Sequence, residues 1–336
     1  MKLSFLYVTE PNCKVYFEEN QVIMDDGKGL LTKLPIEILE GIVLIGNANL
    51  TTGCQRELLK RGISVTFLAS NGQYYGRLES TRHVNILVQR KQFRLGDDEA
   101  FILAFAQKII SAKVHNQVVI ARRLNRERKN NKIQQVIEDM LKLYKKIPQT
   151  SELNQVLGYE GSCAKLYFEA LSQAIIPSFA FKGRNKMPPR DPFNSLLSFG
   201  YTLLMYEVYS AITNKGLHPY AGLIHKDHHG HPALASDLME EWRAVLIDSL
   251  VLKLLNNEEF TVEDFDHDEQ TGGVYLSRNA SKKFLKEYEK KIRIKSNYLD
   301  GNNTMSFKKA IQYQVNSLTK MIDQRDLDCY QPIYIR

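Results

Sequence analysis

The chain has 336 residues, 43% of them hydrophobic and 25% charged, and a formal net charge of +7. That length allows two domains and a sizeable core, and this ordinary mixture excludes disorder as the default state. No apolar run reaches the roughly 18 residues a membrane span needs, and four scattered cysteines without C-x-x-C spacing argue against a disulfide framework or a zinc–thiolate site and fit a reducing cytoplasm.

The N-terminus has a short apolar run that alternates like a strand and lacks a small-residue cleavage site, so it does not read as a signal peptide. Residues 2–8, 13–18 and 21–24 are short, rich in β-branched and aromatic residues, and separated by Pro-Asn and Glu-Asn turns. Residues 42–45 and 63–68 are further apolar runs of strand length. Asn71-Gly72 ahead of residues 73–78 is a hairpin signal. One helix is expected over residues 52–60, closed by Gly62.

Beyond about Arg82 the hydrophobic period changes to that of a helix. Ile133, Val136, Ile137, Met140, Leu141, Tyr144 and Ile147 make one apolar stripe that Pro148 ends. Arg122, Arg123, Arg126, Arg128, Lys129 and Lys132 are expected on a short helix. KGRNKMPPRDP, residues 182–192, is a basic, proline-rich connector that should be an extended loop. Asp191-Pro192 then predicts an N-cap with proline at the first helical position, and Gly216 stops that helix. A further helix is expected over residues 236–255. The chain therefore reads as α+β: a small β-rich domain over residues 1–82, a linker over 83–94, and a larger all-α domain over 95–336.

Three places could carry chemistry. In GYEGSCAKLYFEAL, Glu160 falls on the same helical face as Ala164, Tyr167, Phe168 and Leu171. A carboxylate facing inward is costly unless paired or metal-bound, although a helix-start carboxylate near the positive end of the dipole is the plainer alternative. Five of eight histidines, His218, His225, His228, His229 and His231, crowd into 14 residues. KDHHGHP reads as a solvated loop, whereas His225 follows the apolar Ala221–Ile224 approach and is better placed in a structured site. Asp237 and Glu240 lie one turn apart, which suits either a capping arrangement or a ligand with a supporting neighbour. Two carboxylates and one imidazole form an oxygen-rich donor set, suited to Mg²⁺ or Mn²⁺ and to phosphodiester chemistry. Among the basic clusters, Lys182, Arg184, Lys186 and Arg190 are singled out because Asp191 fixes the helix beside them.

GYEG at 158–161, GRNKMPPRDPFNSLLSFGYTLL at 183–204, GLHPYAGLIHKDHHGHPALASDLMEEWR at 216–243 and GGVYLSRNASKKF at 272–284 occur in order. Together they resemble the family of CRISPR-associated protein one, the integrase of spacer acquisition. The resemblance implies that Glu160, His225 and Glu240 hold a catalytic Mg²⁺ or Mn²⁺. Glutamate stands at the third position, where many relatives have aspartate. It implies Asp237 as an acidic helper, and Arg184 and Asn194 as residues that orient substrate or the active-site helix; with Lys182 and Arg190 of the connector and Arg243 they make the expected DNA-binding set. It further implies a DNA endonuclease and integrase in which 3′-hydroxyls of a short double-stranded DNA attack repeat phosphodiesters. The β-rich domain would then serve dimerisation and DNA contact. Homodimers of the chain would bracket a dimer of the small CRISPR-associated protein two, with no membrane partner. Two rival readings remain from the residues alone: a small-molecule metal hydrolase built on the His-rich loop, and a non-catalytic DNA-binding scaffold.

Overall fold

The structure, a computed structural model, describes residues 5–226, 228–297 and 304–336. The first three residues of the strand expected over 2–8 lie outside them. Two compact units divide the chain: Met1–Val84 with Arg278–Glu289, and Asn85–Ser277 with Lys290–Arg336.

In the first unit the strands are β1 (Phe5–Val8), β2 (Lys14–Glu18), β3 (Gln21–Asp25), β4 (Leu30–Pro35), β5 (Gly41–Ile45) and β6 (Asn49–Leu50). Helix α1 (Thr52–Arg61), β7 (Ser64–Leu68) and β8 (Tyr74–Leu78) follow. They make two four-stranded sheets, ordered β1-β5-β7-β8 and β4-β3-β2-β6. β1, β5 and β7 run parallel, and β5, GIVLI, is buried along its whole length, as a central parallel strand should be. Glu19 and Asn20 both take positive φ in the turn joining β2 to β3, the conformation a right-twisted two-residue hairpin requires. Thr51 caps α1 by accepting from the Cys54 amide at 3.4 Å, and Gly62 ends it at φ +71°, as its sequence predicts. Sequence reasoning misses β4. Its Leu30 and Leu31 are exposed at the edge of the sheet, so no apolar face marks it.

The second unit is mostly helical: α2 (Ile86–Gly96), α3 (Glu99–Arg128), α4 (Asn131–Tyr144), α5 (Leu153–Ala174), α6 (Pro192–Asn214), α7 (Ala233–Trp242) and α8 (Ser249–Asn256). A hairpin of β9 (Phe265–Asp268) and β10 (Gly273–Leu276) comes next. After it stand α9 (Arg278–Arg293), the short pair β11 (Lys295–Asn297) and β12 (Thr304–Ser306), and α10 (Phe307–Gln324). The fold class is thus α+β, a small β-rich region followed by a larger helical part. Among the described residues no helix is long and apolar enough to cross a membrane.

Several boundaries differ from expectation. Residues 83–94 are not a linker. Asn85 caps α2 by accepting from the Val88 amide, and the buried Gln92 donates to the carbonyls of His218 and Ala221 at 2.8 Å each. α2 is thereby fixed to the segment leading into His225. Nor is 95–336 one block. Glu10 pairs with Arg278 and Lys282, and the Arg278 side chain donates to the Thr9 carbonyl, which holds the first turns of α9 in the β-rich unit. The basic residues 122–128 finish the 30-residue α3 rather than forming a short helix, Lys129 closes it in the left-handed region, and Lys132 opens α4. Asp191 caps α6 as predicted, accepting from Asn194 at 2.8 Å ahead of Pro192. Most of α6 is buried, as expected of a core helix without a solvent face.

The C-terminal residues are strapped across α3 and α7. Tyr330 donates its hydroxyl to Glu241 Oε1 at 2.7 Å, the Ile333 amide donates to Glu241 Oε2 at 2.8 Å, and the Ile335 amide donates to Asn116 Oδ1 at 3.0 Å. Burial pushes the Glu241 carboxyl up to about 8, against those donors. A folded-state value above the ordinary 4.5 means that the folded protein holds this proton longer than the unfolded chain does. Its stabilisation is therefore complete below about pH 4.5 and is lost as pH rises toward 8. We expect the melting temperature to fall between pH 5 and 8 by an amount corresponding to a few kcal/mol, and this slope to become distinctly shallower in Glu241→Gln. An identical slope in that variant, followed by calorimetry, would discount the assignment.

Candidate active site

Glu160 lies two turns into α5, which begins at Leu153, so it is not a helix-start carboxylate. Its helix also buries Val156, Cys163, Tyr167, Ala170 and Leu171, and Glu160 shares that inward side. The Lys113 ammonium of α3 pairs with Glu160 Oε1 and lies 2.6 Å from Glu240 Oε2 on α7. Two carboxylates 80 positions apart in sequence therefore converge on one charge. Lys113 is 6% exposed and Glu240 3%. Burial alone would discharge the ammonium, but Glu240 and Glu160 hold its proton on and raise its pKa. Burial would likewise raise the Glu240 carboxyl; the charges of Arg243 and Lys113 override it and hold the group down at about 2.

Asp237 does not cap α7. The helix begins at Ala233 with Pro232 at its N-cap, and Asp237 is fully buried within it. Its carboxylate turns back to the preceding loop. Oδ2 accepts from the amides of Leu223 at 2.7 Å and Ile224 at 3.0 Å; Oδ1 accepts from the His225 amide at 3.0 Å and meets His225 Nδ1 at 2.6 Å. A carboxylate at Nδ1 places the ring proton there and leaves the Nε2 lone pair outward. The same hydrogen bond, opposed by partial burial, raises the His225 pKa, and the Glu240 charge adds to it. Gly222 allows the loop to lie this close: a Cβ there would stand 2.6 Å from the Ala233 Cβ.

Past Trp242 the helix widens. Arg243–Asp248 is π-helical, a form that occurs mostly as short bulges, frequently at functional sites. Arg243 Nη1 reaches Glu240 Oε1 at 3.1 Å. Arg243 and Asp248, five residues apart, both line a cavity of about 630 Å³, with Lys113, Glu160, Lys182, Arg184 and Tyr201 also on its wall. The Tyr201 ring holds the Arg184 guanidinium at 5.4 Å and that of Arg243 at 5.2 Å, and its hydroxyl donates to Asp248 Oδ1 at 2.5 Å. Burial pushes the Asp248 carboxyl up to about 6 despite that donor.

The other candidates fall into place by their partners. Arg184 donates to Asn194 Oδ1 at 3.0 Å and to Ser198 Oγ at 3.2 Å. Asn194 is fully buried; its amide donates to the Gly183 carbonyl and Asp191 Oδ2, and its oxygen also accepts from the Asn185 amide. Fully buried and with its bonding capacity used, Asn194 clasps the connector to the start of α6. Arg190 donates to the Thr271 carbonyl at 2.9 Å, away from the cavity wall. Lys182 is exposed at the cavity rim. His228 and His229 are exposed, and His231 Nε2 bonds the Ser236 hydroxyl at 2.9 Å. Sequence reasoning missed Lys113, Tyr201 and Asp248. Lys113 had a usable signal: it shares the buried stretch of α3 with Phe105, Ile109, Ile110 and Val114.

Among the described residues no three His, Cys, Asp or Glu side chains already stand as a metal cage. The donor set nevertheless suits a hard divalent ion. Glu240 is buried between two cations, Lys113 at 2.6 Å and Arg243 at 3.1 Å, and their charges keep its carboxylate ionised, as a ligand to a hard cation must be.

A family model described as CRISPR associated protein Cas1 matches residues 6–290. A CRISPR-associated endonuclease Cas1 of Mycobacterium tuberculosis (strain CDC 1551 / Oshkosh) is 33% identical over 320 residues, which is 95% of this chain and 94% of that protein. Among solved structures, a Cas6-RT-Cas1–Cas2 complex is similar with a TM-score of 0.85 at 24% identity; 99% of this chain is covered, but only 36% of that larger one. A casposase bound to integration product is similar with a TM-score of 0.83 at 23% identity, over 100% of this chain and 96% of that one. These two likenesses concern the fold. With a matching family model over most of its length and a full-length relative at one-third identity, the chain belongs to the Cas1 family of CRISPR associated proteins.

Proposed function

We propose that this chain is a divalent-metal-dependent DNA endonuclease and integrase that inserts short DNA fragments into a CRISPR array. One observation carries the reading: Glu160 and Glu240 converge on a single charge, while Asp237 orients His225, which feels the Glu240 charge. The relative named an endonuclease and the casposase described with its integration product support the same reading.

Glu160, His225 through Nε2, and Glu240 would hold Mg²⁺ or Mn²⁺. When bound, such an ion polarises the phosphoryl oxygen and neutralises the leaving oxygen. The chain's own residues do the rest. Asp237 fixes the imidazole tautomer. Arg184 and Arg243, spaced by the Tyr201 ring, offer two guanidiniums to the phosphate backbone, and Lys182 adds charge at the rim. A 3′-hydroxyl attacks the repeat phosphorus. One P–O bond forms as another breaks, and the displaced 3′-oxygen takes up a proton, so no nucleotide cofactor is consumed. Water in place of the hydroxyl gives cleavage. The chain would act as a homodimer with a small partner of the Cas2 kind, a reading supported by the Cas1–Cas2 assembly among the similar structures.

The test is joining of a labelled short duplex to a repeat-bearing plasmid, with the partner present. Joining is expected with Mg²⁺ or Mn²⁺, none with EDTA, and recovery when the ion is restored. Unchanged joining under chelation, or tight DNA binding with neither cutting nor joining under any divalent ion, would defeat it.

A further inference from the structure

Lys113 poses a question that the proposed function does not answer. A lysine is almost never buried unless paired, and this one sits between the two carboxylates assigned to the metal. On one side it is paired with Glu160 Oε1; on the other it pairs with Glu240 Oε2 at 2.6 Å. Removed from this place, it would leave the buried Glu240 carboxylate and the partly buried Glu160 carboxylate without the cation they share, with Arg243 still on Glu240. Like charges at that distance and burial repel strongly.

The charges also count against simultaneous occupancy. The carboxylates of Glu160, Glu240 and Asp237, one ammonium and one guanidinium sum to −1 as the site stands. A divalent ion added beside an unmoved ammonium would turn that sum positive in a largely enclosed site.

We infer that Lys113 is a displaceable counter-ion: it holds Glu160 and Glu240 together in the metal-free protein and leaves the space between them when a divalent cation enters. Metal binding is then an exchange of one charge for two at a preassembled pair of carboxylates. Lys113 is a positioning residue in this scheme, and the ammonium, once displaced, remains beside a cavity whose wall also carries Arg184 and Arg243. This inference rests on the metal assignment above.

The two can be tested apart. Mn²⁺ binding to the DNA-free full chain, titrated by calorimetry, addresses the assignment: wild type should bind, and Glu160→Gln should not. Lys113→Met addresses the inference. The variant should melt lower than wild type without metal, bind Mn²⁺ about tenfold tighter, and gain a larger thermal shift from it. A lysine that merely scaffolds its neighbours would give weaker binding instead. Unchanged or weakened Mn²⁺ affinity in Lys113→Met overturns the inference while leaving the metal site standing. Absence of Mn²⁺ binding in both wild type and Lys113→Met overturns both. Should Lys113→Met fail to fold without metal, the double variant Lys113→Met/Glu240→Gln removes the opposed charges. Recovery of its melting temperature supports the counter-ion role, and failure to recover overturns it.

Discussion

Replacing His225 by alanine is expected to reduce DNA joining and cutting by at least about 10²-fold while leaving the fold intact. The two halves of that expectation have separate physical grounds. His225 stands on a loop with about a third of its side chain exposed, so truncation leaves little cavity. Asp237 keeps its three backbone donors from residues 223–225 when the imidazole is gone, and so is not stranded. What disappears is the oriented Nε2, the sole nitrogen in the proposed donor set. The same assay in Mn²⁺, with circular dichroism and a melting curve alongside, decides the matter. A well-folded His225→Ala protein with full joining activity would falsify the role given to the ring.

Much of the site was legible because its residues break local rules. Glu160 on an apolar face and His225 after an apolar approach are both anomalies that one helical wheel or one short window displays. Asp237 was visible as chemistry but not as geometry. A carboxylate followed three residues later by Glu240 looks like a cap, and only the tertiary path of residues 221–225 shows that it serves a loop behind it. Lys113, Tyr201 and Asp248 lie outside the span of any single motif. Lys113 is 47 residues from one partner and 127 from the other, so its role exists only once α3, α5 and α7 pack together. The π-helical turn at Arg243–Asp248 escaped for a related reason. Its apolar run is compatible with an uninterrupted helix, and the wider turn is resolved only by what Arg243 and Asp248 both reach. On the fold side, the ends of helices α1 and α6 were readable from Gly62, Asp191 and Pro192, where a residue type answers a local backbone need. α2 was not, because Ile86 and Leu87 are exposed and the buried face includes a glutamine whose partners are more than 120 positions away.

The largest loss of stability is expected at Asp237→Ala. Its carboxylate is fully enclosed and accepts from three consecutive backbone amides and one ring nitrogen. Alanine would leave those donors without an acceptor, and the pocket is too enclosed for bulk water to substitute freely. A buried donor left unpaired costs about 1–3 kcal/mol, and the group as a whole should cost about 3–5 kcal/mol. For a chain of this size that corresponds to a melting temperature lower by roughly 10 °C. Asp237→Asn is the informative companion. Its amide retains one accepting oxygen, but its NH₂ would point at an N–H donor, so part of the loss should persist. Activity should fall in both variants, because the loop carrying His225 loses its anchor and the ring its tautomer. If differential scanning calorimetry places Asp237→Ala within about 2 °C of wild type, the four-donor account of this carboxylate is wrong, and the placement of His225 needs another cause.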